Sequence, residues 1–183
     1  LSGSSELALV APAGCRPFDK GRPGITVGEG AGMLVLETLE HVQARGAAVL
    51  GLISGFAATC DAYHITGPDP AATQAAHAIE LALQQAGRSA DEVGYVNAHG
   101  TGTRDNDLME SRALRQVFSH RTPLVSSTKR LTGHTFAAAG AIEAIICLQA
   151  LRTGMFPGNA GTQQPDEGLI ATLPTARLEP MVL

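Results

Sequence analysis

Apolar positions along the chain fall into short runs separated by turn-forming residues, and two periodicities alternate among them. Ser2 to Pro23 is rich in Gly, Ser and Pro, has one short apolar run from Leu7 to Val10, and reads as loop. Past a glycine-rich approach, Met33 to Leu36 has the continuous apolar character of a buried strand. A short helix is predicted over Leu39 to Arg45, with Gly46 as its natural stop, and Val49 to Thr59 reads as a second strand. Ala72, Ala75, Ile79, Ala82 or Leu83, and Ala86 form a helical stripe in the stretch Ala71 to Ala86, closed by Gly87. Two similar layouts follow. In the first, a strand over Gly94 to Ala98 delivers His99 to its end, before a helix from about Asp105 to Phe118. In the second, a strand over Pro123 to Ser127 and a turn over Thr128 to Gly133 lead to His134, which opens a helix to about Arg152. That last helix carries Ile142, Ile145, Ile146, Leu148 and Leu151 on almost every side, the pattern of a buried helix. Gly154 to Pro180 is proline-punctuated loop, and Met181 to Leu183 resembles the start of a strand. Helices alternating with short apolar strands indicate a layered α/β fold.

At 183 residues and 44% hydrophobic, the chain can bury one ordinary core. A formal net charge of -4, with scattered Lys and Arg, supplies no basic stripe for phosphates, and 4% aromatic content supplies few platforms for stacking bases, so nucleic acid is not expected as a partner. The three cysteines, Cys15, Cys60 and Cys147, lack metal-knot spacing and are odd in number, so neither a metal centre nor a disulfide framework is expected and a reducing cytoplasm fits best. No apolar run is read as a membrane span, and the start lacks a signal-like pattern.

The chemistry concentrates at the two histidines. Each stands at a strand-to-helix junction, and the carboxyl ends of strands in α/β sheets are where reacting groups gather. Lys129 lies five residues before His134 and can point an ammonium group into the same cleft. After His99 come Thr101 and Thr103, whose hydroxyls suit the amides of an extended ligand, interleaved with Gly100 and Gly102, which let its backbone approach. Asp107 and Glu110, three apart, can share a helix face and orient a lysine or histidine, and Asp107 is equally suited to favouring the helix dipole. Glu143 lies within the apolar helix, where an unpaired carboxylate is costly, and so requires a partner. Two neutral histidines and a lysine supply N–H donors and a positive field, which stabilise an enolate or oxyanion formed from a thioester carbonyl.

The segments RPFDKGRPG (Arg16 to Gly24), GEGAGMLVLE (Gly28 to Glu37), NAHGTGTRDND (Asn97 to Asp107) and SSTKRLTGHTFAAAGAIEA (Ser126 to Ala144) resemble the β-ketoacyl-ACP synthase family in order and spacing, over nearly the whole chain. The resemblance implies a thiolase-like layered α/β/α sandwich, with residues 1–183 as the C-terminal part of a synthase domain. It implies a decarboxylative Claisen condensation of an acyl thioester with malonyl carried on acyl carrier protein, in a homodimer or in a heterodimer with another ketosynthase-like subunit. No cofactor is implied beyond the carrier's phosphopantetheine. His99 and His134 would donate hydrogen bonds to the malonyl thioester carbonyl, Lys129 would support them, Thr101 and Thr103 would meet the phosphopantetheine arm, and Glu143 and Asp107 would brace the network. The pattern departs from the family's: none of Cys15, Cys60 and Cys147 lies in the small-residue turn that carries the family's nucleophile, all three read as structural, and the family's glycine-rich loop after a strand such as Met181 to Leu183 is not found. Arg104 stands where many relatives carry proline, and Arg22-Pro23-Gly24 replaces a commoner Arg-Asp-Gly.

Three other function classes compete, one of them a thiolase or related CoA enzyme, which would share the fold but from which the HGTGT and STKxxTGH motifs point away. A non-catalytic partner subunit, of the chain-length-factor kind, would share the fold but has no need of three buried polar groups at His99, Lys129 and His134. A hydrolase built on Ser126 or Ser127 would need a nucleophile elbow that the sequence lacks.

Overall fold

The computed structural model describes residues 10–170 and the backbone of Glu179 and Pro180. Its helices are α1 (Leu39–Ala44), α2 (Thr73–Ala86), α3 (Arg104–Val117), the single turn α4 (Lys129–Thr132) and α5 (Ala139–Thr153). Its strands are β1 (Tyr95–Asn97), β2 (Leu124–Ser126), β3 (Met155–Phe156) and β4 (Glu179–Pro180).

The two predicted strand-to-helix layouts form the centre. β1 and β2 pair in parallel, with Tyr95 opposite Leu124, Val96 opposite Val125 and Asn97 opposite Ser126, and α3 is the crossover between them. Parallel neighbours need such a crossover, and it sends both chains away from the same sheet edge. His99 and the turn that leads to His134 therefore leave side by side. Phe18, Ala98, Leu114, Phe118, Val125, Leu169 and Ile170 make the buried cluster beneath this edge. α2 lies against α3 through Ala72, Ala76 and Ala113, small residues that let the two backbones approach. Arg112 and Gln116 of α3 fasten the start of α2 by donating to the carbonyls of Pro70 and Ala71.

Four expectations need correction. Met33 to Leu36 and Val49 to Thr59 do not form strands: the edge hydrogen bonds a strand requires are not made to them among the described residues, and Met33, Val35, Leu52, Ile53 and Phe56 are exposed. Their glycines do lie against helices, Gly32 on Ala141 of α5 and Gly55 on Ala82 of α2, so one side of each segment is packed. α5 is apolar all round yet buried only at Ala139 and Ala150, because among the described residues it is covered on one flank alone. By length and composition, Phe136–Thr153 also meets the requirement for a membrane crossing, with mean hydropathy 1.4, which corrects the expectation that no stretch would; the ion pair of its Glu143 with Lys129 of α4 argues for a core helix. Finally, α5 starts at Ala139 and not at His134. Phe136 has φ +51°, a left-handed conformation that no α-helix admits, and a short 3₁₀ turn over Phe136–Ala138 intervenes. Within the described part of the tail, residues 157–170 are loop as expected, whereas β3 pairs antiparallel with β4. The reading of Met181 to Leu183 lies outside the described residues.

Candidate active site

The structure brings His99 and His134 together. Their ring centroids are 5.0 Å apart and the rings stand nearly perpendicular, at 84°. Each is held through its backbone. Glu110 of α3 accepts from the N–H groups of His99 and Gly100 with its two carboxylate oxygens, at 2.6 and 2.8 Å. His134 donates its N–H to the Thr26 carbonyl at 2.7 Å and accepts from Gly28 N–H at 3.1 Å. Gly100 is obligatory here: its φ is +40°, and a side chain would collide with Ser127 and the Phe18 ring.

The ring states follow from geometry. The Phe136 N–H donates to His134 Nδ1 at 3.1 Å, so the neutral ring carries its proton on Nε2 and presents a donor there. The Phe136 ring stacks on His134, at 4.9 Å and 18°. Protein packed around His99 disfavours its imidazolium, and the positive fields of Lys129 and His134 add to this, lowering its pKa to about 4. His134 is lowered by burial and by Lys129. Both rings are neutral donors at pH 7.

Lys129 is 1% exposed, and its Nζ is ion-paired with Glu143 Oε1 of α5. The partner that Glu143 required is thus the lysine. Asn97, at the end of β1, donates to the Glu143 carbonyl at 3.4 Å. Lys129 reaches this position because α4 is a single turn, opened by Thr128 and closed by Gly133, so the chain reverses before His134.

Thr103 caps α3 by accepting from Asn106 N–H, and its hydroxyl lies 2.9 Å from that of Thr101. The two hydroxyls sit together just beyond His99, Thr101 buried and Thr103 half-buried. Asp107 is fully buried and touches neither histidine nor lysine. It accepts from Phe18 N–H at 2.8 Å and Gly102 N–H at 3.1 Å, and Arg22 Nε lies 3.8 Å away. It braces loops, and the group that orients a histidine is its neighbour Glu110. Burial pushes the Glu110 carboxyl up to about 7 and raises Asp107 as well.

Two groups in this site carried no legible signal as site residues: Arg22, whose guanidinium is buried beside Asp107, and Asn159, whose Oδ1 accepts from Ser127 N–H at 2.8 Å. Both act across loops distant in sequence, and a spacing rule cannot find such partners. Ser126 and Ser127 are fully buried, with their hydroxyls engaged by Tyr95 and the Gly100 carbonyl, which removes the hydrolase alternative. Cys15 is buried and its thiol pushed up by burial, Cys147 is half-buried and also raised, and Cys60 is exposed; all three are free.

A convergent pair of neutral imidazoles over a lysine–glutamate ion pair can hold a developing oxyanion. Comparison with known proteins points the same way. Residues 50–163 match the family described as beta-ketoacyl synthase, C-terminal domain. Nodulation protein E of Rhizobium meliloti is 44% identical over 168 residues, covering 91% of this chain and 41% of that protein. The 3-oxoacyl-[acyl-carrier-protein] synthase 2 of Synechocystis sp. (strain ATCC 27184 / PCC 6803 / Kazusa) is 45% identical over 153 residues, 82% of this chain and 37% of that one. The solved ishigamide ketosynthase/chain length factor superposes with a TM-score of 0.88 at 39% identity, over 92% of this chain and 41% of that one. The chain thus spans about two-fifths of the length of the curated relatives it matches.

Proposed function

This chain belongs to the β-ketoacyl synthase family, with its thiolase-like α/β fold, and from that premise we propose that it supplies the enolate-stabilising half of a decarboxylative Claisen condensation in fatty acid or polyketide biosynthesis. The observation that carries the reading is the perpendicular His99–His134 pair, 5.0 Å apart, with a neutral Nε2–H on His134.

In this reading, malonyl carried on acyl carrier protein enters with its thioester carbonyl against the two imidazoles. As carbon dioxide leaves, the electron pair of the broken C–C bond forms the enolate, and negative charge collects on the carbonyl oxygen. Two aimed N–H donors stabilise that charge, each worth about 3 kcal/mol in a water-poor site. Lys129 adds a positive field; its pairing with Glu143 keeps the buried ammonium in place. Thr101 and Thr103, beside His99, receive the phosphopantetheine arm. The enolate carbon then attacks an acyl thioester on a cysteine, and as the new C–C bond forms the acyl C–S bond breaks and the cysteine leaves as its thiolate. Cys15, Cys60 and Cys147 do not suit that role, so the nucleophile belongs to a part of the synthase outside residues 1–183, of which this segment is the C-terminal part. The chemistry calls on no metal or organic cofactor of the protein. We place the protein in the cytoplasm, its three thiols free, as half of a homodimer or of a heterodimer with a ketosynthase-like subunit.

The similarity to a ketosynthase/chain length factor structure favours one second reading, a non-catalytic partner subunit. Decarboxylation separates the two. In the complete synthase, His134→Ala is expected to lower malonyl-ACP decarboxylation by about 10²–10³-fold, the loss of one aimed donor. Unchanged decarboxylation would refute the role given to His134 and leave the partner-subunit reading.

A further inference from the structure

One continuous stretch, residues 24–28, touches both histidine-bearing loops. At its start Gly24 N–H donates to the Gly102 carbonyl at 3.0 Å, three residues past His99. At its end Thr26 and Gly28 bracket the backbone of His134, and Val27 forms a parallel bridge with it. The stretch therefore spans the gap between the two loops. Its own position must be set from elsewhere, because both loops depend on it.

Its middle is held by the segment before it, Ala11 N–H donating to the Ile25 carbonyl at 2.6 Å and Cys15 N–H to Thr26 Oγ1 at 2.7 Å, and Arg22, two residues upstream, fixes its start. Its side chain is 8% exposed. Nη1 donates to Asp166 Oδ2 at 2.7 Å and to the Asp19 carbonyl at 3.0 Å, and Nε lies 3.8 Å from Asp107 Oδ2. Both acidic partners are tied to the surrounding backbone. Asp107 holds Phe18 and Gly102 N–H, and Asp166 donates its own N–H to the Phe18 carbonyl. Asp19, on the same turn, accepts from the N–H groups of Gln163 and Gln164. A planar guanidinium in a fixed fork can hydrogen-bond one carboxylate, Asp166, through Nη1 while Nε faces a second, Asp107, at ion-pair distance, an arrangement that an ammonium on a flexible stem does not fix.

We propose that Arg22 is a positioning residue for the histidine pair: clamped between Asp107 and Asp166, it fixes residues 22–28 and thereby sets the separation of His99 and His134. Its catalytic consequence rests on the reading of the site given above, whereas its structural consequence does not, and the two are measured separately.

The structural measurement is an NMR titration of the His99 ring in the full chain. The groups facing that ring are Lys129 and His134, with Glu110 holding its backbone. Burial is the main cause of the low His99 midpoint, with Lys129 and then His134 adding to it; loss of the clamp in Arg22→Met lets the loops part and water reach the ring, so the midpoint rises from about 4 toward its ordinary 6.5. Arg22→Lys, which keeps the charge without the fork, recovers part of the difference. The kinetic measurement is decarboxylation by the complete synthase, where kcat is expected to fall by about 10²-fold, as for a misplacement of about 1 Å, with KM changed by less than about twofold. Asp166→Asn is made in parallel, so that a failure of Arg22→Met to fold leaves the test intact; it shifts His99 in the same direction by less. A wild-type His99 midpoint in either folded variant, with only a lower melting temperature, overturns the proposal. A shifted midpoint in a protein whose wild type does not decarboxylate malonyl-ACP supports the clamp and refutes the functional reading instead.

Discussion

Removing Glu143 strands a buried charge. Lys129 is 1% exposed, the Glu143 side chain is 18% exposed, and Glu143 is the acidic partner of that ammonium among the described residues. In Glu143→Ala the lysine must stay charged without a partner, give up its proton, or be pulled out of the turn that holds it. Breaking such a pair by deleting one member costs about 3–5 kcal/mol. A chain of this size loses about 2–4 °C of melting temperature per kcal/mol, so a fall of roughly 6–20 °C is expected. Thermal unfolding followed by circular dichroism measures it, with guanidinium denaturation as the independent check. The double variant Lys129→Met/Glu143→Leu is the control, because an apolar pair of similar volume restores what the single change loses. A Glu143→Ala protein within about 1 kcal/mol of wild type, or a double variant as unstable as the sum of the single changes, would refute the claim that the ion pair is buried and coupled.

Glu110 and Gly100 supply two further predictions. With its pKa raised to about 7, Glu110 keeps a proton in the native state across a window where the unfolded chain, at its ordinary 4.5, has released it, so its contribution to stability falls as pH rises from about 4.5 to about 7. His99, lowered to about 4, contributes the opposite slope between about 4 and 6.5, so the informative quantity is the difference between wild type and Glu110→Gln. That difference should change by up to about 3 kcal/mol between pH 4 and 8, and denaturation curves that stay parallel across this range would refute the assignment. Gly100→Ala combines a left-handed backbone with a collision against Ser127 and Phe18 and is expected to lose about 2–4 kcal/mol in a urea titration; a loss below about 1 kcal/mol would show that the Ser127 turn yields.

The sequence by itself determined the parts of this protein that depend on neighbours along the chain. α2 follows from its apolar stripe and its Gly87 stop, α3 from the helical run placed after His99, and β1 and β2 from short apolar runs that each lead toward a histidine. The pairing of Glu143 was legible because a carboxylate in an apolar helix has few ways to exist. Tertiary structure decided the rest, wherever the partner is remote. Glu110, and not Asp107, holds His99, because the rotation of α3 against β1 determines which of two acids three residues apart faces the loop. Phe136 delays α5 because its N–H serves the His134 ring in place of a helical turn. Met33 to Leu36 and Val49 to Thr59 have strand composition without strand hydrogen bonds, since a strand is defined by a neighbour that composition does not supply. Arg22 shows the same limit most clearly: its two carboxylates lie 85 and 144 residues away in the chain, and only folding brings a lone arginine in a loop to the point where both histidine loops are set.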